Sequence, residues 1–388
     1  MRKFELQLPT KIYFGKGQVE KLPDIVKEYG SRILLAYGGG SIKRNGIYDT
    51  VTGLLDGAGI YHTELSGVEP NPRITTVRKG IGICREEKIS LVLAIGGGSA
   101  IDCAKAIAAG VPYEGDPWDF FCGKAQVKDP LPVAVILTIA ATGSETDRCA
   151  VITNMETEEK KEVMSPALYP KASILDPTYS FSVPKYQTAC GSADIMSHVF
   201  EVYFEGDEHF YMLDREMEGL LRTVVHYGPI ACENPEDYEA RENLMWAAGW
   251  AINGFFGAGG NSRWPCHAME HQLSAYYDVT HGHGLAVITP VWMRYILNEK
   301  TKRRFADYGR SVFGLSGEND LEIGKQAIQC TEDVFRKMGL KLTLRDLGIT
   351  SQDKFEEMAE KARDYSGLEG CFTPLKKEDI VEIFKRSF

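Results

Sequence analysis

Two short apolar runs in this chain each end in Gly-Gly-Gly-Ser. Arg32–Tyr37 leads into Gly38, Gly39, Gly40 and Ser41; Leu91–Ile95 leads into Gly96, Gly97, Gly98 and Ser99. A helical pattern follows each, from about Tyr48 to Gly57 and over Ala100–Ala109. A continuous apolar strand, a glycine turn and a helix make the βα unit of a parallel sheet covered on both faces. Glycine lets the backbone approach a phosphate, and a helix N-terminus offers free N–H groups and a partial positive charge. The spacing is not GxGxxG, so the usual dinucleotide fingerprint is absent. Gly96–Ser99 reads as a phosphate site and Gly38–Ser41 as a second candidate, with a plain tight turn as the alternative. Asp102 either caps its helix or touches the ligand.

A third strand, Val133–Ile139, precedes Ala141-Thr142-Gly143-Ser144-Glu145, and residues 150–175 read as a hairpin with a charged tip at Glu156–Lys161. Residues 4–14 alternate like a strand or hairpin at a sheet edge. After about residue 180 the β-branched runs thin out. Long amphipathic patterns take over, as in Ala193–Phe204, Tyr211–Tyr227, Tyr238–Asn253, Glu322–Met338 and Lys354–Ala362. The expected organisation is an α/β dinucleotide-binding domain with a Rossmann-like parallel sheet over residues 1–180. An all-α domain over residues 181–388 follows, with a ligand cleft between the two.

With 388 residues, the chain buries a core without metal or disulfide staples. Its net charge of −10 argues against nucleic acid or an anionic membrane surface as partner. Nine cysteines, an odd number with no CxxC pair, read as reduced thiols in a cytoplasm. The first residues lack an apolar signal segment, and no run approaches the ~18 apolar residues of a membrane span.

Asp194 and His198 are four residues apart on an expected helix and share a face. His267 and His271 repeat that spacing, and His281 and His283 lie in what reads as a glycine-rich turn, Thr280–Gly284. One carboxylate with several imidazoles suits Zn²⁺ or Fe²⁺ and leaves a position for substrate. A hydrogen-bonded polar network without metal is the alternative. His62, His209 and His226 stand alone and read as structural. Trp246, Trp250 and Phe255 follow a helical stripe of core or cleft-lining residues.

Across nearly its whole length the chain resembles the iron-containing (group III) alcohol dehydrogenases, most closely their butanol dehydrogenase-like branch. The resemblance is carried by Tyr37–Lys43, Pro70-Asn71-Pro72, Gly96–Asp102, Ala141–Glu145, Asp194–His198, Cys266–His271 and His281–Leu285. It implies a dehydroquinate synthase-like architecture and a homodimer with N-terminal strands at the interface. It implies Asp194, His198, His267 and His281 as ligands of one divalent metal, and His271 near the reacting carbon in proton relay. Gly97, Gly98 and Ser99 would hold the cofactor pyrophosphate; Asn71, Thr138, Thr142, Val151, Lys160 and Tyr179 would line the rest of the dinucleotide site. Ala141 stands where the family often has glycine, and His283 is not a family ligand position; it reads as a turn residue.

The implied activity is reversible hydride transfer between NAD(P)(H) and small, mostly apolar alcohols or aldehydes such as butanol and butanal. Met196, Phe200, Trp250, Phe255 and Phe256 flank the motifs and suggest that substrate class. An acid at the first glycine turn would repel a 2′-phosphate. The turn here has none, and Lys43 is nearby, so NADP(H) is expected over NAD(H). A lyase of the same architecture would need several basic residues to clamp its substrate, and a metallohydrolase would not need two strand–glycine–helix turns.

Overall fold

The computed structural model describes residues 3–205, 210–260 and 262–388. His209 lies outside the described residues. The chain forms two compact units, one of Gln7–Val183 with Pro235–Asn253, the other of Pro184–Asn234 and Gly254–Phe388 with the start of the chain up to Leu6.

The first unit is built on a six-stranded parallel sheet. Its strands are β1 (Lys11–Phe14), β2 (Arg32–Tyr37), β3 (Tyr61–Leu65), β4 (Leu91–Gly96), β5 (Val133–Leu137) and β8 (Ala172–Leu175). Strands β6 (Cys149–Asn154) and β7 (Glu159–Met164) form a separate antiparallel hairpin. The sheet order is β1-β8-β5-β4-β2-β3. The N-terminal segment therefore supplies one parallel edge strand, not a hairpin.

The apolar runs follow from this burial. In β2, Leu34 and Ala36 face one core while Ile33, Leu35 and Tyr37 face the other. In β4, Val92 and Ala94 face the first, and Leu91, Leu93 and Ile95 the second. Helices Ile74–Glu86 and Gly98–Gly110 cover one face; Leu22–Lys27 and Ile47–Gly57 cover the other. A strand covered on both faces has no polar side, so alternation disappears.

From β2 the chain runs outward to β3 and then returns to β4 on β2's other side. The direction of winding reverses between β2 and β4, where open α/β sheets bind ligands beyond the carboxyl ends of their strands. Tyr37 is in register with Ile95. The two glycine turns thus leave the same sheet edge side by side.

In the second unit, the helices that matter to the site are Lys185–Tyr203, Pro265–Tyr277 and His281–Ile296. Thr280–Gly284 is therefore not a turn but the start of a helix. The sequence misleads because Gly282 and Gly284 are poor helix formers. Packing decides instead: a Cβ on Gly282 would lie 2.1 Å from the Cys190 carbonyl oxygen. Glycine there lets helix His281–Ile296 approach the backbone of helix Lys185–Tyr203.

Candidate metal centre and cofactor site

Asp194, His198 and Glu201 sit at helical positions i, i+4 and i+7 of Lys185–Tyr203 and share one buried face. Helix Pro265–Tyr277 presents His267, Glu270, His271 and Ser274 with the same periodicity. His281 opens the third helix.

Three imidazoles converge on one carboxylate oxygen. Asp194 Oδ1 lies 3.6 Å from His198 Nε2, 3.7 Å from His267 Nε2 and 3.6 Å from His281 Nε2. The donor atoms of Asp194, His267 and His281 lie within 4.8 Å of one another, close enough to share one ion, and His198 joins them through Asp194 Oδ1. Asp194 Oδ1 and His267 Nε2 are buried with no hydrogen-bond partner among the described residues. Buried polar atoms are rarely left so, and a cation between them accounts for both. The residues present fit a divalent metal.

The backs of two rings are held by carboxylates that sequence reasoning missed. His267 Nδ1 pairs with Glu201, and His281 Nδ1 pairs with Glu270. Both glutamates are fully buried. Glu201 also accepts the backbone N–H groups of Cys266 (2.5 Å) and His267 (3.1 Å); Glu270 accepts the hydroxyl of Ser274. A carboxylate on Nδ1 fixes the tautomer and leaves Nε2 as the donor atom. Glu270, His271 and His281 form a second close group. There the Glu270 carboxylate faces the back of His281, so it orients that ring.

Charge follows the same arrangement. Burial pushes the Asp194 carboxyl up, but the three surrounding imidazoles outweigh it and hold the group at about 2. Burial pushes His198 down to about 4, with Asp194 only partly opposing. Burial acts downward on His267 too, yet Glu201 and Asp194 raise it to about 10. Without a metal, a proton occupies this ring; a cation would displace the proton from Nε2 while Glu201 keeps the one on Nδ1. His271 is buried in the same cluster, its ring 6.3 Å from that of His267 and 5.7 Å from that of His281.

The other histidines stand apart. His283 Nε2 donates to the Lys341 carbonyl at 2.8 Å, leaving Nδ1 to accept the Tyr186 hydroxyl at 3.0 Å. Both nitrogens are committed, so His283 is a structural helix residue. His62 pairs with Asp56, and His226 packs on Tyr227. Met196 and Phe200 are fully buried, with Phe200 against Phe204 and Tyr308. They belong to the helical core, because helix Lys185–Tyr203 is enclosed on nearly all sides.

In the sheet unit, no side chain caps helix Gly98–Gly110. Its first turn thus lacks the usual side-chain acceptor at the winding reversal, which suits a phosphate. A Cβ on Gly98 would lie 2.4 Å from Thr142 Oγ1, and the Thr138 amide donates to the Gly96 carbonyl at 3.0 Å. Gly96, Gly97, Gly98, Thr138 and Thr142 therefore form one wall. Asp102 does not cap the helix. Four residues into it, the carboxylate accepts Ser144 Oγ at 2.6 Å and the Val151 amide at 3.0 Å. Burial raises it to about 6, against the pull of Lys105. Lys105, also missed from sequence, is fully buried and donates to Ser144 Oγ (2.9 Å) and Asp147 Oδ1 (2.6 Å). This network pins the loop bearing Thr142 against the second glycine turn. Lys160 donates to Asn71 Oδ1 at 2.9 Å, and both residues are buried. Tyr179 follows β8 and packs against the second core. Ser41 begins the short helix Ser41–Arg44 after Gly40, which has φ of 88°.

The profile described as iron-containing alcohol dehydrogenase matches residues 9–177, and that of the Fe-containing alcohol dehydrogenase family, C-terminal, matches residues 188–388. The chain belongs to the iron-containing alcohol dehydrogenase family. As such it is an NAD(P)(H)-dependent oxidoreductase of alcohols and aldehydes with a divalent metal cofactor. It is 55% identical over 390 residues to NADH-dependent butanol dehydrogenase A of Clostridium acetobutylicum, covering 100% of both chains. It is 36% identical over 355 residues to the NADPH-dependent aldehyde reductase YqhD of Escherichia coli, covering 90% of each. A crystal structure of NADH-dependent butanol dehydrogenase A from Thermotoga maritima superposes with a TM-score of 0.95 at 41% identity, covering 100% of this chain and 99% of that one. The expected fold, a parallel α/β sheet followed by helices, is the fold of these dehydrogenases.

Proposed function

We propose that this dehydrogenase interconverts small, mostly apolar alcohols and aldehydes, with butanol and butanal as the reference pair. The observation that carries this reading is the convergence of three imidazole Nε2 atoms on Asp194 Oδ1. Asp194, His198, His267 and His281 would hold Fe²⁺ or Zn²⁺. Gly97, Gly98 and Ser99 would take the pyrophosphate. Gly38–Ser41, Asn71, Thr138, Thr142, Val151, Lys160 and Tyr179 would line the remainder, with Asp102 bracing Val151.

When bound, the metal supplies a Lewis acid for the substrate oxygen and the nicotinamide supplies or accepts the hydride. The chain does the rest. Glu201 and Glu270 hold protons on Nδ1 of His267 and His281, keeping each Nε2 available. The uncapped helix amides bind the dinucleotide phosphates. His271, adjoining His267 and His281, relays the proton released from the alcohol.

An uncharged first turn with Lys43 nearby points by itself to NADP(H). That lysine is engaged by Glu64 at 3.2 Å, which removes the free cation and shifts the reading toward NAD(H). The relatives named NADH-dependent at 55% and 54% identity, against 36% for the NADPH-dependent one, support the same direction.

A homodimer is proposed from the edge position of β1 and the exposed apolar side chains of Leu8 before it and Ile12 within it. A cytoplasmic location is proposed from nine cysteines, an odd number with no CxxC pair. Among the described residues, no helix is long and apolar enough to cross a membrane.

The test is NADH- and NADPH-dependent reduction of C2–C6 aldehydes by protein of known metal content. Turnover that needs metal and peaks near C4 supports the proposal. Absence of turnover on every aldehyde contradicts it.

A further inference from the structure

Glu64 lies on β3, 21 residues from Lys43, in a segment with no glycine motif. Its carboxylate nevertheless accepts three donors: the hydroxyls of Tyr37 and Tyr48 and, at 3.2 Å, Lys43 Nζ. Lys43 also lies over the Tyr48 ring, 4.3 Å from its centroid, and 5.4 Å from that of Tyr37. Burial works against the charge on Glu64, but its three donors outweigh that and keep it ionised below the ordinary carboxylate range.

This cluster is built onto the first glycine turn. Tyr37 immediately precedes Gly38. The Lys43 amide donates to Gly40 at 3.2 Å; beyond β3, the Gly67 amide donates to Gly38 at 3.2 Å and the Val68 amide to Tyr37 at 3.1 Å. Glu64, Lys43 and the turn are therefore joined by a continuous set of hydrogen bonds beside the winding reversal. Lys43 is half exposed and Glu64 one-third exposed, so both can be reached by a ligand at the turn.

We propose that Glu64 sets cofactor choice by holding Lys43 in the Tyr37–Tyr48 cage, so that a 2′-phosphate meets a neutralised pair and NAD(H) is preferred. This rests on the reading that Gly38–Ser41 receives the adenosine end of the dinucleotide. A phosphate paired with Lys43 in its present position would also lie close to the Glu64 carboxylate, and the two anions repel. Glutamine at position 64 has nearly the same shape without the charge, and it releases Lys43 to the ligand.

The test is equilibrium binding of NADH and NADPH to the holoenzyme, read by nicotinamide fluorescence. The wild type is expected to bind NADH more tightly. Glu64→Gln is expected to shift the Kd ratio toward NADPH by about tenfold. Lys43→Met is then expected to cost NADPH about tenfold in the Glu64→Gln background and less than about threefold in the wild type. An unmoved ratio in Glu64→Gln, or equal costs of Lys43→Met in both backgrounds, contradicts the proposal. Should Glu64→Gln not fold, the wild-type ratio alone decides, and tighter binding of NADPH overturns it. If neither dinucleotide binds the wild type, the cofactor-site reading itself fails; binding with an unmoved ratio removes only the role of Glu64.

Discussion

The buried carboxylate of Glu270 is paired with Nδ1 of His281, and the other nitrogen of that ring faces Asp194 Oδ1 at 3.6 Å. Glu201 does the same for His267. Carboxylates behind metal-ligating imidazoles typically matter by 10–100-fold in affinity. Glu201→Ala and Glu270→Ala are each expected to weaken metal binding by roughly that factor, measured by chelator competition. Glutamine, which still accepts a hydrogen bond, should recover part of the loss. Unchanged affinity in both alanine variants would assign the glutamates to packing alone.

The role proposed for His271 is proton relay, not ligation. His271→Ala should retain the metal while kcat falls by about 10²-fold. Metal analysis with steady-state kinetics on one preparation separates the roles. Loss of the metal would make His271 a ligand, contrary to the account.

Glu145 offers a pH test within the sheet unit. It is 1% exposed, its Oε1 has no hydrogen-bond partner among the described residues, and burial raises it from 4.5 to about 7. The folded state thus holds the proton more tightly than the unfolded chain. Stability from this group is complete below pH 4.5 and is lost as pH rises through about 7. Glu145→Gln should therefore match wild-type stability near pH 4.5 and exceed it at pH 8 by roughly 1–3 kcal/mol. Denaturant midpoints at the two pH values measure this. A gain equal at both would point to packing instead of ionisation.

Gly282 bears on both packing and the site, because a Cβ there would strike the Cys190 carbonyl. Gly282→Ala is expected to cost about 1–3 kcal/mol and to weaken metal binding by displacing His281. Thermal melts and metal titration check the two effects. A stable variant with wild-type metal affinity would show that the helices have room to separate.

Much of this was legible beforehand, for physical reasons. Gly96–Ser99 stood out because a doubly covered strand must be apolar throughout and its turn must be small. Asp194 and His198 stood out because a helix repeats its face every 3.6 residues. The same rule extends to Glu201 at i+7, and to Glu270 and Ser274 on the His267 face, so a signal existed for both glutamates. It was hidden because buried carboxylates are rare and look like surface charges in a sequence. The Thr280–Gly284 helix was not legible, since its glycines serve a neighbour far away in the chain, the backbone at Cys190. Phe200 packs against Phe204 and Tyr308, and periodicity alone cannot tell a core stripe from a cleft. Glu64 escaped notice because only the β2–β3 pairing brings it to Lys43.

The central claim is that Asp194, His198, His267 and His281 together hold one divalent metal. The most direct measurement is the metal content of wild-type and His267→Ala protein after equilibration with Fe²⁺ or Zn²⁺, with butanal reduction assayed on the same samples. The account predicts about one equivalent in the wild type and little metal or activity in His267→Ala. A His267→Ala protein that kept both its metal and its full activity would contradict it.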